Sequence, residues 1–126
     1  MKNTILIVDD SRLNRETLAA ILKDKYNIIE AEDGRSGLEV LEKRKDDIVL
    51  VILDIVMPGM DGFETTKIIR SLDNTKKAGI PIVAMTANAF DEDRKKALEN
   101  GMNGHISKPF NVDTFAETVL GYIGER

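Results

Sequence analysis

Four short segments of the chain end in side chains that could do chemistry. TILIV (Thr4–Val8) leads into Asp9 and Asp10, and VLVIL (Val49–Leu53) leads into Asp54. IPIVAM (Ile80–Met85) leads into Thr86 and Ala87, and GHIS (Gly104–Ser107) leads into Lys108. Two unit charges ~4 Å apart repel by roughly 4 kcal/mol at an effective dielectric near 20, so stability alone would not gather three acids. A divalent cation removes the repulsion. Mg2+ favours oxygen donors, one or two carboxylates and a phosphate oxygen. The set suits phosphoryl transfer, with Asp54 as nucleophile forming an acyl phosphate. The metal and Lys108 would draw charge from the equatorial oxygens, and Thr86 would donate a hydrogen bond to one of them.

Each of these residues also has an ordinary role. Aspartate after a strand caps helices or forms turns, threonine bonds to backbone, and lysine before proline sits at a surface. The capping role fits Asp54 poorly, because Ile55 and Val56 are apolar and no helix begins until about Gly62. For Asp10 it stays open, with Ser11 as a competing cap.

Gathering these residues needs elements that deliver them to one edge. Thr4–Val8 and Val49–Leu53 are continuous β-rich runs, expected to be buried on both faces. Asn27–Glu32 is more polar and suits an edge strand. Ile80–Met85 is a third central strand, with its proline near the start, and Gly104–Ser107 is a short one. Five predicted helices alternate with them, the last one following the fifth strand. The first runs from the Ser11 cap to about Lys23, with Leu13, Thr17, Leu18, Ile21 and Leu22 on one face. The second opens at Asp33–Gly34, with Leu38 and Leu41 inward. The third starts at an Asp61/Glu64 capping box and runs to about Arg70. The fourth spans Asn88–Asn100, with Gly101 as its left-handed stop. The last spans Asn111–Ile123, with Val112, Phe115, Ala116, Val119, Leu120 and Ile123 on one stripe. Leu72–Gly79 reads as a polar loop. Alternating strands and helices predict an α/β, doubly wound parallel sheet of flavodoxin-like (βα)5 type, and three central plus two edge strands fit the order 2-1-3-4-5. In such sheets ligands bind beyond the carboxyl ends of the strands, where the strand order reverses.

The chain has 126 residues, no cysteine and a net charge of −4. That length suits one domain, 1–126. The absence of cysteine excludes disulfides and thiolate metal sites. The acidic balance, with basic residues scattered among acids, argues against a direct nucleic-acid grip. No apolar run reaches the roughly 18 residues of a membrane span. MKNTILIVDD has too short an apolar stretch for a signal peptide, so the expected compartment is the cytoplasm.

ILIVDDS (Ile5–Ser11), LDIVMPGMDG (Leu53–Gly62), MTANAF (Met85–Phe90) and GHISKPF (Gly104–Phe110) together resemble the response-regulator receiver domains of two-component signalling. The resemblance covers essentially the whole chain. It implies that Asp54 accepts a phosphoryl group from a phosphohistidine on a sensor histidine kinase or a histidine phosphotransfer domain. It implies Mg2+ held by Asp10, Asp54 and the Val56 carbonyl, with Asp9 acting through water. Thr86, Lys108 and the backbone N–H of Ala87 would contact the phosphoryl oxygens, and a cis Lys108–Pro109 bond would aim the lysine inward. On phosphorylation Thr86 would move, a fifth-strand side chain would turn inward, and the surface of helix four, strand five and helix five would change for an output partner. That switch residue is usually tyrosine or phenylalanine. Here it is His105, the only histidine, which would add pH sensitivity in the ordinary histidine range. Val56 and Asn88 occupy positions that tune acyl phosphate lifetime in the family. The chain ends soon after the last helix, so the expectation is a receiver without an output domain, either stand-alone or part of a larger protein. MTANAF and GMNGHISKPF look most like receivers of hybrid sensor kinases.

Three rival readings compete. A phosphatase of the haloacid-dehalogenase type needs Asp-x-Asp after its first strand, and here Ser11 follows Asp9-Asp10. A flavin binder needs a phosphate-cradling first loop, which Asp9 and Asp10 would repel, and no Gly-x-Gly-x-x-Gly or Gly-x-x-x-x-Gly-Lys is present. A phosphorylation-independent interaction module would not need all five acceptor-site positions filled.

Overall fold

The computed structural model describes residues 3–43, 48–55, 57, 59–86, 91–107 and 112–124, with only the backbone described at 75, 86, 91–94, 107 and 124. The strands are β1 (Thr4–Val8), β2 (Asn27–Ala31), β3 (Ile48–Asp54), β4 (Ile82–Thr86) and β5 (Gly104–Ser107). All pair in parallel, in the order β2-β1-β3-β4-β5. The helices are α1 (Arg12–Leu22), α2 (Gly34–Lys43), α3 (Gly62–Arg70), α4 (Thr75–Ala78), α5 (Asp91–Glu99) and α6 (Val112–Gly124).

Side chains alternate across the sheet and build two apolar layers. Leu6, Val8, Val51, Leu53, Ile82 and Ala84 face Leu38 and Leu41 of α2 and Phe63 and Ile69 of α3. Ile5, Ile7, Leu50, Ile52, Val83 and Met85 face Leu18 and Leu22 of α1 and Phe115 and Val119 of α6. Each fully buried Leu or Ile contributes about 1.5–3 kcal/mol, so two-sided burial is what makes β1, β3 and β4 central. The exposed Asn27 and Glu30 of β2 are tolerated because that strand has only one neighbour.

The structure departs from the sequence expectations in four places. The Leu72–Gly79 loop contains α4, a single turn in which Asn74 Oδ1 accepts the N–H of Lys76 at 3.0 Å and of Lys77 at 3.1 Å. One turn is too short for hydrophobic periodicity to reveal. β4 starts at Ile82 and not Ile80, because Pro81 offers no N–H; its carbonyl accepts from Val51 N–H at 3.0 Å. Leu13 is 72% exposed and Thr17 is exposed as well, so the buried stripe of α1 begins at Leu18. At roughly 100° per residue, Leu13 lies about 140° from Leu18 and about 180° from Leu22, on the side of the helix away from the buried stripe. On α6, Phe115 and Val119 are buried while Val112 and Leu120 are exposed beside a groove of about 300 Å3 with Ile21, Leu22 and Tyr26. Gly101 behaves as expected, closing α5 at φ +92°. The expectations at Val56, Ala87, Asn88, Lys108 and Pro109 lie outside the described residues.

Candidate functional site

Register and alternation bring two of the acids together. Val8 pairs with Leu53, so Asp9 follows opposite Asp54, on the sheet face already carrying Ile7 and Ile52. Both positions therefore lie on the α1 side of the carboxyl edge. Asp9 is 1% exposed and Asp54 6%. Asp10 is exposed, and one carboxylate oxygen from each of Asp9, Asp10 and Asp54 lies within 4.8 Å of the others. These are hard oxygen donors at the spacing a small divalent ion can bridge, so the residues fit Mg2+.

Local bonding holds each acid in place. The Asp9 N–H donates to the Ala31 carbonyl at 3.1 Å, extending the β1–β2 ladder by one residue. Asp9 Oδ1 accepts the Ser11 N–H at 2.8 Å. Ser11 is the N-cap of α1, its hydroxyl accepting from Asn14 N–H at 3.3 Å. The cap is therefore Ser11, and Asp10 is left to the acidic cluster. Beyond Asp54, the Ile55 N–H donates to the Met85 carbonyl at 3.2 Å and the Gly62 N–H donates to the Ile55 carbonyl at 3.0 Å. A Cβ on Gly62 would come within 2.6 Å of the Asp54 carbonyl oxygen, so this close return over the strand end needs glycine. Asp61 then caps α3 through the Glu64 N–H at 2.9 Å.

A fourth acid at this edge, Asp33, does purely structural work. Its Oδ1 accepts the Ser36 N–H at 2.7 Å at the start of α2. That bond and the Ser36 hydroxyl hold its pKa below the usual carboxylate range.

The backbone of Thr86 lies one residue beyond Met85, the partner of Asp54, and beside Ser107. His105 pairs with Ala84 and is half-buried, so positions 86 and 105 share one face of the sheet. Val56, Ala87 and Lys108 lie outside the described residues, so the structure gathers the three aspartates and the Thr86 backbone of the predicted set. Sequence reasoning missed two contributors. Gly62 was legible as a glycine at a helix start, a place where other residues serve better. Arg15 was not: its guanidinium donates to the Asp9 carbonyl at 2.6 Å and to Glu30 Oε1 at 3.3 Å, and Glu30 is fifteen positions away in the chain.

A model of the response regulator receiver domain family matches residues 5–120. Sensor histidine kinase RcsC of Salmonella typhimurium is 42% identical over 119 residues, covering 94% of this chain and 12% of the kinase. The chain thus spans only that small part of the relative's length. Chemotaxis protein CheY of Halobacterium salinarum is 37% identical over 120 residues, covering 94% of this chain and 95% of that protein. The solved receiver domain of sensor histidine kinase PA1611 from Pseudomonas aeruginosa, with a magnesium ion coordinated in its active-site cleft, matches with a TM-score of 0.86 at 30% identity, over 98% of this chain and 99% of that one. On its strand order, its acidic carboxyl edge and these likenesses, the chain belongs to the response-regulator receiver domains of two-component signalling.

Proposed function

We propose that this domain, 1–126, is a phosphorylation-controlled switch whose acceptor is Asp54. The observation that carries the proposal is the triad itself: a buried Asp54 at a strand end with Asp9 and Asp10 oxygens within 4.8 Å. An Asp54 carboxylate oxygen attacks the phosphorus of a phosphohistidine. The new P–O bond forms as the P–N bond breaks, and the electron pair leaves with the imidazole nitrogen, which is neutralised by a proton. The product is an acyl phosphate on Asp54, and slow attack by water at phosphorus returns the carboxylate and inorganic phosphate. Asp9, Asp10 and Asp54, with the Val56 carbonyl, are the proposed donors to Mg2+. When bound, that ion supplies charge neutralisation for the incoming phosphoryl oxygens. Thr86, Lys108 and the N–H of Ala87 are the proposed phosphoryl contacts.

The phosphodonor is a sensor histidine kinase or a histidine phosphotransfer domain. The 42% identity to a segment of RcsC supports a place beside a histidine kinase. Output passes through α5, β5 and α6, the surface expected from sequence as helix four, strand five and helix five before α4 was counted. The shared sheet face of positions 86 and 105 supports His105 as the residue that follows Thr86. The proposed compartment is the cytoplasm, with no direct nucleic-acid contact. Among the described residues, no helix is long and apolar enough to cross a membrane.

Incubation with acetyl phosphate and Mg2+, read by intact mass, should phosphorylate the wild type and leave Asp54→Asn unmodified. Beryllofluoride should likewise bind only the wild type. Equal modification of both proteins would refute the assignment.

A further inference from the structure

Arg15 sits on the second turn of α1 with its side chain only 13% exposed. It makes no carboxylate contact within the acidic triad among the described bonds. One arm, Nη1, donates to the main-chain carbonyl of Asp9 at 2.6 Å. Its Nε donates to Glu30 Oε1 at 3.3 Å, across to the edge strand β2. Asp9 is thereby held at three atoms: its N–H by Ala31, its carbonyl by Arg15 and its Oδ1 by Ser11. The Glu30–Arg15–Asp9 chain ties the β1–α1 turn, which carries two of the three acids, to a strand on its other flank. A planar guanidinium can span two acceptors in this way, whereas an ammonium on a flexible stem is a point charge.

We infer that Arg15 is a positioning residue for the acidic site: braced by Glu30, it fixes the Asp9–Ser11 turn so that the Asp9 and Asp10 oxygens stay in register with Asp54 for a divalent cation. The inference rests on the acceptor reading above. It makes a prediction opposite in sign to simple electrostatics. If Arg15 acted only as a nearby positive charge, removing it would strengthen cation binding. If it positions the turn, removing it weakens binding, and Lys does not substitute, because Lys keeps the charge and loses the fork. Groups that orient metal ligands from behind typically carry 10- to 100-fold of metal affinity.

The test is calorimetric titration of the purified protein with Mg2+ alone, with thermal unfolding of each variant in parallel. Arg15→Lys and Arg15→Gln should each weaken Mg2+ binding about 10-fold, at the low end of that range, while both remain folded at the titration temperature. The loss in Arg15→Lys should persist in high salt, where a pure charge effect is screened. Wild-type affinity in Arg15→Lys, or tighter binding in Arg15→Gln, overturns the positioning role while leaving Asp54 phosphorylation intact. Failure of the wild type to bind Mg2+ or to accept phosphate overturns the acceptor reading and this inference with it.

Discussion

The two ends of the sheet handle charge in opposite ways. At the carboxyl end, three aspartate side chains crowd within 4.8 Å. At the amino end of β4 and β5, a single cation, Arg70, is surrounded by neutral oxygens. Its Nε donates to the Gly101 carbonyl at 2.9 Å, Nη1 to the Ala78 and Ile80 carbonyls at 2.7 and 2.6 Å, and Nη2 to Asn103 Oδ1 at 2.8 Å. Burial pushes the pKa of that guanidinium down from its usual value. Asn103 in turn accepts from the Ile82 N–H and donates its own N–H to the Ile82 carbonyl, both at 2.8 Å. The brace gathers the end of α3, the turn after α4 and the start of β5 without bringing any like charges together. It is built for stability. The acidic end places like charges close together, and a divalent cation there would offset their repulsion.

This contrast can be broken from either end. The largest effect is expected at Arg70. Arg70→Met takes the charged donor from the Gly101, Ala78 and Ile80 carbonyls, while Asn103 Oδ1 keeps the Ile82 N–H, and it should cost about 3–4 kcal/mol in urea denaturation. Its folded fraction should still accept phosphate from acetyl phosphate. A cost below about 1 kcal/mol would remove the brace from the account. Asp10→Asn should act the other way. With chelator present it should stabilise the protein by about 0.5–2 kcal/mol, because one like charge leaves the cluster, while Mg2+ affinity falls. Added salt should shrink the gain. Destabilisation by this change would mean the triad is not under repulsion.

The smallest effect belongs to Asp33, the acid that only caps. Asp33→Ala should lose about 1 kcal/mol at neutral pH with phosphorylation unchanged. The folded-state pKa of Asp33 is depressed, so its contribution is fully present above the ordinary aspartate value near ~3.9 and fades as pH falls through the lower folded value. The gap between wild type and variant in unfolding midpoints should therefore close in acid. A gap that is constant down to the acid limit would show that the carboxylate charge plays no part in the cap.

Much of this was legible in the chain. Continuous apolar runs reveal two-sided burial, so β1, β3 and β4 were readable as central and the polar β2 as an edge. The acids were readable as a group because Asp9 and Asp10 follow β1 and Asp54 ends β3, and parallel strands in one sheet deliver their ends to one edge. Leu13 shows the limit of counting apolar residues: at roughly 100° per residue it lies about 140° from Leu18 and about 180° from Leu22, off the stripe those two bury, and it is exposed. The α4 turn is too short to leave a pattern.

The sequence by itself determined which segments become strands, their order, and which side chains reach the carboxyl edge, because hydrophobic periodicity and strand-end placement are local properties of the chain. Tertiary structure alone decided what holds those side chains. Arg15 reaches Glu30 across to another strand, Gly62 folds back onto the carbonyl of Asp54, and Arg70 collects oxygens from residues 78 to 103. Such contacts depend on the packed geometry of segments distant in sequence, and a long polar side chain has many possible partners until the fold selects among them.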